Sequence, residues 1–304
     1  MKIVAFAGGV GGAKLADGLS QLLPPEDLTV VVNTGDDFIH LGLSISPDLD
    51  TVCYTLAGLA NPNTGWGRQA ETFLAMDNIK KLGGPDWFRI GDKDLATHLE
   101  RTRRLQEGQS LSQITQHFCR VWGVRHQVLP MSDQPIHTMV DTHDSGELPF
   151  QEYFVHRNCE PKVRGFRFAG IELAEPAPGV LKSIKEADSV VFCPSNPWVS
   201  IDPILALDGV RSALAKKTVL AVSPIIGGRT VKGPAAKIFT ELGIKPSALA
   251  VARHYADLLS GFVLDIIDKG MVKEFTIPII LTQTLMKTRD DRRRLAQDVL
   301  NLIL

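Results

Sequence analysis

The sequence predicts an α/β fold: a Rossmann-like, mostly parallel sheet flanked by helices, with a helical insertion. Three observations carry that expectation. The first 35 residues run apolar strand, glycines, amphipathic helix, apolar strand, which is the order of a βαβ unit. Later short apolar runs end in Ser, Pro, Gly or Asn. Between them, over approximately 52–125, β-branched runs vanish and helical spacing takes over.

Each element follows in order. MKIVAFA is an apolar run ending at glycine, the pattern of a buried strand. Residues 13–23 set Leu15, Leu19, Leu22 and Leu23 on one helical face before Pro24 and Pro25 stop the helix. LTVVVNTGDD is a second buried strand running into a turn. After the helical stretch, strand signals return in HQVLPM, HTMVDT, FQEYFVH and VRGFRFAG, then in SVVFCPSN and TVLAVSPIIGG, and finally in GFVLDIID and TIPIILTQTLM. Residues 290–304 close the chain as an amphipathic helix with Leu295, Val299, Leu302 and Ile303 on one face. The expectation is one domain over 1–304, with the helical segment inserted within it.

Composition narrows the function classes. The 304 residues are 44% hydrophobic and 22% charged, with a formal net charge of -1, which argues against broad binding to nucleic acid or anionic membrane. Cys53, Cys119, Cys159 and Cys193 form no CxxC pair, so each reads as a buried thiol and not as a metal ligand. MKIVAFAGG reaches glycine before a secretory apolar core forms, and no apolar run approaches the ~20 residues of a membrane span. A cytoplasmic protein is expected.

In open parallel sheets, ligands bind beyond the carboxyl ends of the strands. Here those ends read GGVGGAK, NTGDD, CPSNP and SPIIGG. The first matches neither familiar phosphate motif. As a dinucleotide fingerprint it places Lys14 at the third glycine, and as a P-loop it has Ala13 and Leu15 where glycine and a hydroxyl belong. Yet Gly8, Gly9, Gly11 and Gly12 let backbone N–H groups approach an anion at a helix N-terminus, and Lys14 adds a cation. Ser195, Asn196, Ser223 and Gly227 are further candidates for phosphate or nucleotide contacts, and Gly228 and Gly233 with Lys232 and Lys237 suggest a second anion loop.

A metal without the P-loop hydroxyl needs carboxylates. Asp48 and Asp50 stand two apart in ISPDLDTV; in an extended segment both would face one ion, with Asp36 and Asp37 nearby. Asp36, Asp48 and Asp50 are the candidate ligands, and oxygen donors suit Mg²⁺. Asp50 is equally placed to cap the helix that follows. A second cluster, Arg89, Asp92, Lys93, Asp94 and His98, lies in FRIGDKDLATH, where Asp94 and His98 at i, i+4 read alternatively as a surface pair.

The combination GGVGGAKLADGL, VVNTGDD, SPDLDTVCYTLAGL, GDKDLATH, LPMSD, EPKVRG, PSNPWVSI and SPIIGG…VKGPAAK resembles the 2-phospho-L-lactate transferase family of deazaflavin coenzyme biosynthesis, in order over most of the chain. The resemblance implies an enzyme that joins the deazaflavin alcohol FO to a GDP-activated three-carbon acid. The ribityl hydroxyl attacks the phosphorus carrying the acid, GMP leaves, and the precursor of coenzyme factor 420 results. The acid is a 2-phospholactate, phosphoenolpyruvate or phosphoglycerate moiety. Mg²⁺ and a homodimer are implied as well. By resemblance, Asp50, Arg89 and Lys93 sit at deazaflavin-contacting positions, and Asp50 and Asp48 carry the catalysis. Replacing Asp50 by Asn is expected to leave folding intact and to cost ~10²-fold in rate. Two other readings compete: a nucleotide-sugar-binding regulator of the same fold, and a nicotinamide-dependent oxidoreductase, against which the broken fingerprint argues. Trp66 or Trp87 stacking on the deazaflavin ring is a further expectation.

Overall fold

A computed structural model describes residues 1–303. Seven parallel strands form the central sheet: β1 (Ile3–Ala7), β2 (Leu28–Val32), β5 (Gln127–Pro130), β9 (Ser189–Phe192), β10 (Thr218–Val222), β13 (Gly261–Asp265) and β14 (Ile279–Thr282). Their spatial order is β14-β13-β10-β9-β1-β2-β5. Every neighbouring pair is parallel, and Ile3 lies opposite Leu28 on one side and Ser189 on the other. The strand order therefore reverses between β1 and β9, the place where a doubly wound sheet opens a crevice.

These strands are apolar throughout because both faces are covered. Val4 and Phe6 of β1 belong to one core, and Ile3, Ala5 and Ala7 to the other. On the second face pack α1 (Gly9–Ser20), α2 (Pro47–Leu56), α5 (Leu111–Val121) and α11 (Arg289–Asn301), through Leu15, Leu19, Val52 and Leu295 among others. On the first face pack α6 (Val180–Glu186), α8 (Val210–Leu214), α9 (Ala235–Glu241) and α10 (Ala248–His254). A short helix, α7 (Asp202–Leu205), follows the turn after β9.

The chain between β2 and β5 contains the hairpin β3 (Phe38–His40) and β4 (Leu43–Ile45), then α2, α3 (Leu74–Lys81), α4 (Asp92–Gln106) and α5. Helices thus fill much of the stretch where helical spacing was expected. A separate antiparallel sheet pairs β6 (His137–Thr142) with β7 (Gly146–Pro149) and β8 (Val163–Ala169), and a two-stranded ribbon joins β11 (Ile225–Ile226) to β12 (Arg229–Thr230).

FQEYFVH is not a strand. Residues Glu152–His156 form a π-helical turn. Pro149 has no N–H to continue the ladder beyond β7, and Phe150 stacks on Phe154 with centroids 5.4 Å apart, an i, i+4 contact of helical spacing. The glycines after β1 are not a loop before the helix either. Gly8 is the N-cap and Gly9, Gly11 and Gly12 make up the first turn of α1 itself.

Candidate active site

The carboxyl ends of β1, β2 and β9 meet at the switch point. Ser195 ties two of them: its Oγ accepts the Gly8 N–H at 3.0 Å and donates to the Gly8 carbonyl at 2.8 Å. Glycine is required where α1 enters this junction. A Cβ on Gly11 would overlap the Pro194 carbonyl, and one on Gly12 would lie 2.6 Å from Ser195 Oγ.

Beyond β2, Asn33 is fully buried and organises two acids. Its Nδ2 donates to Asp36 Oδ1 at 3.0 Å, Asp48 Oδ2 at 2.9 Å and the Val199 carbonyl at 3.1 Å, while its Oδ1 accepts the Gly35 N–H at 2.8 Å. Asp36 also accepts from Gln151 at 3.2 Å. Asp48 accepts the Gly9 N–H, so a carboxylate from α2 sits at the N-terminus of α1. Burial pushes the Asp48 carboxyl up to about 6 against the hydrogen bonds from Asn33, Gly9 and Ser200. Burial, then the charge of Asp48, pushes Asp36 well above the usual carboxylate range. Among the described residues, no lysine, arginine or histidine forms an ion pair with either acid.

Asp48 and Asp50 do not face one ion as an extended segment would have them. Pro47 is the first residue of α2, a position that suits its fixed φ, and both acids lie in that helix's first turn. Two residues along a helix rotate by about 200°, which sends the side chains to opposite sides. Asp48 turns to Asn33 and Gly9. Asp50 turns to α4.

There Asp50 Oδ1 meets Arg101 in a close ion pair, and both side chains are buried. Arg101 also donates to the Ser44 carbonyl at 3.2 Å and lies 3.2 Å from His98 Nδ1. His98 Nε2 faces Asp94 Oδ2 at 3.5 Å, and His98 Nδ1 lies 3.7 Å from Asp50 Oδ2. Tyr54 donates to Asp94 Oδ1 at 2.6 Å. Burial pushes the Asp50 carboxyl up, with Arg101 and then His98 pulling against it. Asp94 ends below the usual range: burial raises it, but His98 and Tyr54 outweigh that effect. Ligand atoms of Asp50, Asp94 and His98 lie within 4.8 Å of one another, yet Arg101 already supplies the positive charge there. His98 is thus buried and not half of a surface pair. Asp50 Oδ2 has no hydrogen-bond partner.

The remaining candidates are placed as follows. Lys14 turns from the glycine turn and donates to the Met286 carbonyl at 2.7 Å. Asn196 accepts the Trp198 N–H at 3.1 Å and leaves its Nδ2 buried and unpartnered. The Ser223 hydroxyl is used within its own turn, donating to the Ile225 carbonyl and accepting the Ile225 N–H. The Gly227 N–H donates to Asp268 at 3.1 Å. Lys237 reaches Glu241 and the Pro161 carbonyl, while Lys232 reaches Thr64, so the two lysines build no common loop. Arg89 pairs with Asp77 at 2.9 Å and covers the Phe73 ring; Lys93 donates to the Gln69 carbonyl; both are exposed. Trp87 stacks on His156 at 5.1 Å, which occupies one of its faces, and Trp66 is exposed. Of the cysteines, Cys53, Cys119 and Cys193 are buried, and Cys159 is half-buried. A cavity of about 550 Å³ between α9, α10 and the turn Ile266–Glu274 shares no residue with this site.

Asn33 and Arg101 escaped the sequence reading. Asn33 was visible only as part of a strand end. Arg101 had a signal: Asp94, His98 and Arg101 stand at i, i+4 and i+7 on one helix.

The 2-phospho-L-lactate transferase CofD family model matches residues 3–300. The chain belongs to that family. The phosphoenolpyruvate transferase of Streptomyces griseus is 46% identical over 90% of this chain and 88% of its own length. The 2-phospho-L-lactate transferase of Methanosarcina mazei is 39% identical over 98% of this chain and 99% of its own. Among solved structures, a member of the UPF0052 family from Bacillus halodurans superposes with a TM-score of 0.65 at 15% identity, covering 98% of each chain, and so shares the fold. The protein is an enzyme, a transferase of this family with a Rossmann-like parallel sheet. Among the described residues, no helix is long and apolar enough to cross a membrane.

Proposed function

We propose that the enzyme joins FO to a GDP-activated three-carbon acid and releases GMP. The observation that carries this reading is the buried pair Asp36–Asp48, without a cationic partner, at the strand-order switch and against the N-terminus of α1. Two hard oxygen donors held by one amide and raised above their usual range are chemically suited to Mg²⁺. Asp50 fits that role less well, because Arg101 already neutralises it. Asp36 and Asp48 would hold the ion. When bound, it supplies charge neutralisation for the diphosphate.

The chain's own groups do the rest. The N-terminal turn of α1 presents backbone N–H groups to the diphosphate, with glycines that permit close approach. Asp50 Oδ2, buried and unpartnered, accepts a hydrogen bond from the ribityl hydroxyl and takes its proton as the hydroxyl oxygen attacks phosphorus. The new bond joins that oxygen to the phosphorus bearing the acid. The bond from that phosphorus to the bridging oxygen breaks, and the bridging oxygen leaves with GMP. Arg89, just before α4, and Lys93, in its first turn, are both exposed and contact the deazaflavin.

The test is a titration with FO, followed by its own fluorescence, with and without GDP and Mg²⁺. Micromolar binding strengthened by both supports the reading. Turnover is then measured with the phosphoenolpyruvyl, lactyl and phosphoglyceryl donors, the first being the one that the name of the 46% identical relative suggests. Absence of FO binding, with firm binding of a uridine or adenine nucleotide, overturns it.

A further inference from the structure

A small cavity of about 80 Å³ lies beside α1, lined by Lys14, Thr55, Asn61, Gly65 and Arg292 among others. Lys14 comes from α1, Arg292 from α11, and residues 55–65 from the end of α2 and the loop after it. Lys232 reaches the same place: its ammonium donates to the Thr64 carbonyl and stands 3.5 Å from a Cβ built on Gly65.

Three cations thus converge on one small space, and little opposes them. Asp17 binds Arg292 at 3.2 Å and Arg289 at 3.5 Å. Asp291, the other acid near Lys14, is committed to the start of α11, where it accepts the N–H groups of Lys287 and Thr288 and pairs with Arg294. Arg292 Nε is buried with no hydrogen-bond partner. The Lys14 ammonium uses one of its three donors on Met286. Burial, then the charges of Arg292 and Lys232, holds that ammonium below its ordinary range.

We propose that this cavity binds one phosphate-sized oxyanion, held by Lys14, Lys232 and Arg292. One water needs about 10–15 Å³ of such space, so the cavity has room for several waters or for a single tetrahedral oxyanion. Guanidinium and ammonium donors on an anionic oxygen form charge-assisted hydrogen bonds, the strong kind. The site shares no residue with the Asp36–Asp48 pair and does not depend on the transferase reading. Its occupant is either free phosphate or the phosphate of a larger molecule whose remainder lies outside.

Calorimetric titration of the full chain with inorganic phosphate tests this. One saturable event is expected, weakened tenfold or more by Lys232→Met and by Arg292→Gln. Lys232 is exposed, so its variant keeps the fold even where Arg292→Gln loosens α11. Displacement of phosphate by GDP identifies the occupant as a nucleotide phosphate; simultaneous binding identifies it as free phosphate, and either result supports the site. Unchanged affinity in both variants, or no saturable event up to millimolar phosphate, overturns it.

Discussion

The Asp50 carboxylate and the Arg101 guanidinium meet inside the protein, 51 residues apart in sequence, with both side chains buried. Removing one partner of such a pair strands the other charge away from water, at a cost of about 3–5 kcal/mol. Arg101→Met is therefore expected to lose that much stability in urea denaturation. Asp50→Asn is expected to lose a comparable amount in addition to its ~10²-fold loss of rate, which revises the expectation that folding would be untouched. The double variant recovers part of the loss, because neither charge is then left alone. Single variants as stable as wild type would show that the pair is not desolvated in solution.

The Asp36–Asp48 pair makes stability depend on pH in the direction opposite to a paired acid. Asp48 titrates near 3.8 when unfolded and at about 6 in the fold. The fold favours its protonated form, so this contribution is full below about pH 4 and is lost as pH rises toward about 6. A divalent cation binds only the ionised pair and offsets that loss. The rise in Tm caused by Mg²⁺ should therefore be small at about pH 5 and should grow as pH rises above about 6. Asp48→Asn should abolish it. An Mg²⁺ effect that is independent of pH would remove these acids from the metal site.

Gly11 and Gly12 set how closely α1 approaches β9. A Cβ on Gly11 would overlap the Pro194 carbonyl, and backbone cannot give way as a flexible side chain does. Gly11→Ala is expected to cost at least about 1–3 kcal/mol and to weaken GDP binding with it. Gly165 in β8 provides the control. It has open space around its Cβ position, so Gly165→Ala should stay within about 0.5 kcal/mol of wild type. Calorimetric Tm values for the two variants decide the matter.

The sheet was legible because buried strands are apolar runs that stop at glycine or a small polar residue, as β1 does at Gly8, β2 at Asn33 and β10 at Ser223. Much of the site was less legible. Asp48 and Asp50 look alike in sequence, and only the helical start at Pro47 sends them to different neighbours. Arg101 lies in LERTRRL, where its neighbours Glu100, Arg103 and Arg104 pair at the surface, so a charged run hides one buried cation. The positions of Ser195 and Ser223 just beyond strand ends suit ligand donors. Local hydrogen bonds to Gly8 and Ile225 claim their hydroxyls instead.

Arg89 separates binding from stability. Its guanidinium pairs with Asp77 at 2.9 Å with both side chains more than half exposed, and such a pair contributes about 0–1 kcal/mol. Its loss should barely move the denaturation midpoint. If the exposed start of α4 contacts the deazaflavin, Arg89→Met should weaken FO binding about tenfold or more, the worth of one charge-assisted hydrogen bond. It should also raise KM for FO while leaving kcat within about threefold, because a contact made equally before and during reaction does not lower the barrier. Asp50→Asn should show the opposite split, with kcat falling and KM little changed. Arg89→Met with wild-type FO affinity would confine recognition of the deazaflavin to the buried side of α4, where Asp50 and His98 lie.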